Sequence, residues 1–149
     1  MGRHPALERL GALVGEWDMS VEGAALAGAM TSFEWIENGA FMRSFADAEV
    51  PEGSPWAGHA PFPVVVMIGL DQLTGRFSYL YADGRDVHRV YEMSFEDGDW
   101  RIWGRPGADW CQRFIGTVAD DRNRIDARWE RSSDGDAWEL DFELTYLRR

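Results

Sequence analysis

Cysteine is nearly absent from this 149-residue chain: Cys111 is the single thiol, so no intrachain disulfide can form and no thiolate cluster can hold zinc or an iron–sulfur centre. Histidine is scarce too, and His4, His59 and His88 have no partner at metal-ligand spacing. No apolar run approaches the roughly 20 residues that span a bilayer. The opening stretch, MGRHPALERLGALVGEW, lacks the uninterrupted apolar core of an export signal. These absences predict a protein of the reducing cytoplasm, neither exported nor embedded. Positive charge is also in short supply: 26 acidic residues face 15 basic ones, for a net charge of −11. Such a field repels phosphate backbones and anionic lipids, so neither nucleic acid nor a membrane surface is an expected partner. The chain contains no G-x-S-x-G, P-loop, dinucleotide fingerprint, zinc motif or Ser-His-Asp arrangement. No catalytic residue, metal ligand or cofactor is assigned from the sequence.

What the chain does have is aromatic bulk, with eight Trp, eight Phe and four Tyr, and 45% hydrophobic residues that can supply one sizeable core. One domain over residues 1–149 is expected. Pro5 followed by Leu7, Leu10, Leu13 and Val14 at helical spacing predicts one short amphipathic helix over 5–13, ended by Gly15. From there the apolar pattern has period two, with turn signals every eight to twelve residues: Asn38-Gly39, Asp71 to Gly75, Asp83 to Asp86, Asp97-Gly98, Pro106 to Asp109, Asp120 to Asn123 and Ser132 to Asp136. This predicts an all-β fold of about ten strands, a sandwich or barrel built as a meander of hairpins. The long break from Val50 to Pro63 carries four prolines and is expected to be a surface loop beside a barrel mouth.

Pairing hairpins across their turns assigns the inward face, because side chains alternate along a strand. The C-terminal hairpin pairs Trp129 with Trp138, Ala127 with Leu140 and Ile125 with Phe142 in this reading, with Glu139, Asp141 and Glu143 outside. The same phase puts Phe114, Gln112 and Trp110 inward, then Met93, Tyr91 and Arg89. Across Asp71 to Gly75, Val64, Val66, Ile68 and Leu70 face Asp83, Tyr81, Tyr79 and Phe77. The Asp83 to Asp86 turn is the step where one bulged residue would invert the face.

Several segments stand in a familiar order: the Gly15-Glu16-Trp17 strand, IGLDQLTGRF, DGRDVHRVYEMSFEDGDW, WCQRFIG and WERSSDGDAWELDFELTYLRR. Over residues 13 to 149 the chain resembles a family of uncharacterised bacterial lipocalin-like, or calycin, proteins, distantly similar to nitrobindin and fatty-acid-binding-protein-like barrels. The resemblance implies a closed antiparallel up-and-down barrel with one short N-terminal helix, and no assigned chemistry. Nitrobindin-type barrels hold haem through a late histidine, and no histidine follows His88 here.

The candidate site is the polar inner row, Asp83, Arg89, Tyr91, Tyr79, Tyr81 and Gln112, with Trp17, Trp129 and Trp138 as aromatic walls. A guanidinium keeps its charge when buried and suits a carboxylate, so Arg89 is the expected anchor for a small, partly apolar, acidic metabolite. The competing reading pairs Asp83 with Arg89 as a structural ion pair in a filled barrel. Gly104, between Tyr91 and Gln112, is read as leaving space. Two alternatives stay open. One is a cyclase or isomerase with Tyr91 or Tyr81 as proton donor; the other is a filled barrel whose surface, with Trp103 beside His88, mediates assembly, and a homodimer belongs with it. Glu34 and Arg43 read as a cross-strand ion pair.

Overall fold

Short turns between alternating segments leave each strand little choice but to pair with its predecessor. The computed structural model describes residues 3–149. Its strands are β1 (Gly15–Val21), β2 (Ala27–Ile36), β3 (Phe41–Glu49), β4 (Val64–Asp71), β5 (Arg76–Asp83), β6 (His88–Glu96), β7 (Asp99–Gly107), β8 (Trp110–Val118), β9 (Arg124–Ser132) and β10 (Glu139–Arg148). Every strand is hydrogen-bonded to its sequence neighbours, and β1 pairs with β10, closing an antiparallel barrel. Closure removes the exposed sheet edges that an open meander would present.

The helix α1 (Pro5–Leu10) and a following 3-10 turn, Gly11–Leu13, occupy the predicted span. Pro5 stands in its first turn, and the Nδ1 of His4 accepts the N–H of Ala6 at 3.1 Å, giving that histidine a capping role. Leu10 and Leu13 are driven into one end of the barrel, where Met42, Ile68, Met93, Ile102 and Ile125 pack as a solid core. Because hairpin turns alternate between ends, the 84–87 and 133–138 turns gather at the other end with the 50–63 loop. That end is open. Among the described residues no helix is long and apolar enough to cross a membrane.

The register through β4, β5 and β6 follows the alternation: Val66 faces Tyr81, Ile68 faces Tyr79, Tyr79 faces Tyr91 and Tyr81 faces Arg89. Glu34 and Arg43 are cross-strand partners 3.1 Å apart. The C-terminal hairpin departs from expectation. Trp129 faces Phe142, Ala127 faces Leu144 and Ile125 faces Tyr146, and the register slips between Leu140 and Phe142. The cause is local hydrogen bonding. Ser132 Oγ accepts the N–H groups of Asp134 and Gly135, and the Asp134 carboxylate accepts those of Asp136 and Ala137, so the connection runs on to Trp138 before pairing starts. Leu140, expected inside, is 51% exposed.

Candidate functional site

Successive inward side chains on one strand stand about 7 Å apart, so β5 and β6 lay out a graded wall. From the helix end to the open end, β5 contributes Phe77, Tyr79, Tyr81 and Asp83; β6 returns with Arg89, Tyr91, Met93 and Phe95. Tyr91 is in edge contact with both Tyr79 and Tyr81, at centroid distances of 6.0 and 6.3 Å. Polarity therefore rises toward the mouth.

Arg89 does not pair with Asp83. Its Nη1 donates to the Tyr91 hydroxyl at 3.3 Å and to Gln112 Oε1 at 3.2 Å, while Tyr91 donates to the same Oε1 at 2.5 Å. The guanidinium lies 4.6 Å from the centre of the Trp110 ring. No carboxylate stands among these partners. Asp83 belongs to a separate cluster: it accepts the Tyr81 hydroxyl at 2.6 Å, the Arg85 Nη2 at 2.6 Å and the Arg85 backbone N–H at 2.8 Å. Burial alone would raise its pKa, but these three donors outweigh burial and hold it below the ordinary value. Tyr81 is raised, first by burial and then by its bond to an already ionised Asp83. Burial likewise raises Tyr91, against the opposing pull of Arg89. The competing reading, in which Asp83 pairs with Arg89, does not hold: Arg85 neutralises Asp83, and Arg89 has no carboxylate partner.

Two adjoining cavities follow. The outer one, about 260 Å³, is bordered by Arg85, Arg89, Tyr91, Trp110, Gln112 and His59. The inner one, about 100 Å³, is bordered by Thr31, Ser44, Tyr79, Trp100 and Tyr146 among aliphatic walls. Trp56, Pro61, Tyr81, Trp129 and Phe142 border both, a neck of shared wall where the two adjoin. Neither space alone, at about 260 and about 100 Å³, matches a typical ligand pocket of roughly 300 Å³ or more.

Of the predicted site residues, Arg89, Tyr91, Tyr81, Gln112 and Trp129 meet at the outer cavity and Tyr79 lines the inner one. Asp83 stands behind Tyr81 as its acceptor. Trp17 is elsewhere, fully buried in the core, its indole N–H donated to Leu13 O at 2.9 Å. Trp138 is outside the barrel, stacked 4.0 Å from the Arg113 guanidinium, because the extended 133–138 turn carries it past the rim. Gly104 opens no void: a β-carbon there would lie 2.6 Å from Tyr91 Cδ1, so the glycine makes room for the tyrosine ring. Trp103 donates its N–H to Glu92 at 2.9 Å, and His88 pairs with Asp86 at 2.9 Å. Sequence reasoning missed Trp56, Phe62, Arg85, Asp141 and Phe142 as walls. Trp56 reaches the neck by edge contact with Phe142, 5.1 Å between centroids, and the buried Ser54 hydroxyl fastens the same loop to Ala24 O. A single large aromatic inside a Pro/Gly-rich loop was the available signal for that contact. Among the described residues no group of three or more His, Cys, Asp or Glu could hold a metal ion.

No family model matches the chain. Human Fascin-2 is 36% identical over 66 residues, a stretch covering 43% of this chain and 13% of that protein, so the chain spans only a small part of that relative's length. The crystal structure of Rv2717c from M. tuberculosis superposes with a TM-score of 0.61 at 10% identity, over 97% of this chain and 98% of the other. At that identity the likeness is one of fold.

Proposed function

We propose that this lipocalin-like barrel binds a small, partly apolar, acidic metabolite, its anionic group at Arg89 and its body in the aromatic neck. The observation that carries the reading is the state of Arg89: it faces a cavity, is oriented by Tyr91, Gln112 and Trp110, and has no carboxylate partner. A guanidinium in a partly dry wall favours an anion that supplies the missing charge, and the fixed fork suits a carboxylate. Trp56, Trp129, Tyr81 and Phe142 supply apolar contact area. One buried thiol suits a cytoplasmic setting.

The cyclase or isomerase alternative draws less support. Burial raises the phenols of Tyr81 and Tyr91, making both poorer proton donors.

The test is a tryptophan-fluorescence titration of wild type and Arg89→Met with hexanoate and hexanol. Wild type is expected to prefer hexanoate by about tenfold, in line with a charge-assisted hydrogen bond, and Arg89→Met to lose that preference. Equal binding of the alcohol by wild type defeats the anionic reading.

A further inference from the structure

The inner cavity carries its own chemistry. Among its described walls there is no carboxylate, guanidinium or imidazole, so it offers nothing to a second charge. It is not a hydrocarbon sleeve either. Trp100 is 2% exposed and borders this space, yet its Nε1 has no acceptor; among the described residues it is the one side-chain N or O that is both sealed from water and without a partner. Buried donors are satisfied in the great majority of native structures, and an orphan asks for an explanation. The phenols beside it point the same way. The Tyr81 and Tyr91 hydroxyls are both engaged, whereas Tyr79 and Tyr146, which border the inner cavity, make no side-chain hydrogen bond among the described residues. Tyr146 is 7% exposed, and its ring lies 6.4 Å from that of Trp100. Thr31, across the cavity, directs its hydroxyl at the Met19 sulfur, a weak acceptor, at 3.4 Å.

We infer that the inner cavity is a subsite for an uncharged oxygen acceptor, a ketone or amide carbonyl at the far end of the ligand, received by the Tyr79 and Tyr146 hydroxyls with the Trp100 indole packed behind them. This rests on the Arg89 reading and narrows it: the ligand is an oxo-acid, charged at the mouth and carbonyl-bearing at depth, and not a plain alkanoate. A volume of about 100 Å³ is roughly that of three water molecules. It accommodates a short acyl end and no long chain.

The test uses straight-chain keto acids with the carbonyl on the last carbon but one, from levulinate upward, each titrated against the alkanoate of equal length. At an optimum length the keto acid is expected to bind about tenfold tighter, the scale of one or two satisfied hydrogen bonds. Tyr79→Phe or Tyr146→Phe should each reduce that ratio, whereas Arg89→Met should weaken both members alike. The two tyrosine variants preserve ring shape and keep the test independent of any folding defect. If alkanoates bind as well as keto acids at every length, the acceptor subsite is wrong while the Arg89 anchor stands. If neither series binds wild type, the anchor falls and this inference falls with it.

Discussion

Arg148, on the last strand, lies flat over Trp17 on the first, its guanidinium carbon 4.1 Å from the ring centre. The same guanidinium donates to Val14 O at 2.6 Å, Ala12 O at 2.7 Å and Arg122 O at 2.9 Å. One side chain thereby joins the helix exit, the β8–β9 turn and the closing seam. Trp17 fixes the other side through its bond to Leu13 O. The aromatic predicted to face a ligand serves the barrel's closure instead.

Replacing Arg148 with Met removes three charge-assisted bonds and the stacked cation while keeping much of the stem. A loss of roughly 2–4 kcal/mol is expected, since charged hydrogen bonds contribute about 1.5–3 kcal/mol each and this group is partly solvated. Chemical denaturation should show a lower midpoint at unchanged slope. An unaltered midpoint would remove Arg148 from the closure.

Gly104→Ala is expected to push the Tyr91 ring aside, because the added carbon would stand 2.6 Å from Cδ1. Overpacking of this kind costs about 1–3 kcal/mol. The displaced hydroxyl should also loosen Gln112 and Arg89, so carboxylate affinity should fall together with stability. Full affinity in a folded Gly104→Ala protein would show that the Tyr91 position is not needed.

At low pH the Asp83 cluster should contribute to unfolding. Its folded pKa lies below the ordinary 3.8, so its stabilisation is complete above that value and is lost as pH falls toward the folded one. Asp83→Asn should flatten the acid limb of a stability–pH curve. At high pH the sign reverses. Tyr79 and Tyr146 are raised above the ordinary 10.0 by burial, so the folded state keeps its protons longer than the unfolded chain, and stability declines as pH rises past 10. Tyr146→Phe should make that alkaline decline shallower, followed by denaturation alongside tyrosinate absorbance.

Trp56→Ala should leave the barrel folded and open the neck, since Trp56 is only partly buried and touches Phe62 and Phe142 at one rim. Stopped-flow displacement of a bound carboxylate is expected to show dissociation about tenfold faster. An unchanged rate would mean that the loop does not guard the mouth.

The β4–β5–β6 wall was legible in the residues because its two turns are short and the apolar alternation on both sides agrees with only one phase. Tyr79, Tyr81, Arg89 and Tyr91 could therefore be placed on one face. The β9–β10 hairpin was not. Its alternating W-x-L-x-F pattern accepts several even offsets, and Ser132 and Asp134 lengthen the connection through side-chain bonds that spacing does not reveal. Phe142 consequently occupies the place opposite Trp129 that was assigned to Trp138. The partner of Asp83 was left open for a related reason: Arg85 and Arg89 lie on either side of one turn, and alternation cannot say which guanidinium reaches the carboxylate. Trp56 depends on a contact with Phe142 far along the chain, which no local pattern encodes.

The seam between β1 and β10 begins with the rung Trp17 to Arg148, with the Arg149 N–H donating to Glu16 O just beyond it. Tension applied at Gly15 and Arg148 therefore loads that ladder one rung at a time, as in opening a zip, instead of shearing all rungs together. The grips of Arg148 on the helix exit and of Arg149 on Asp18 sit at the first tooth, so resistance at the seam is concentrated in two neighbouring guanidinium groups; once they yield, an unfoldase drawing on the last strand would meet successive rungs of its ladders to β1 and β9.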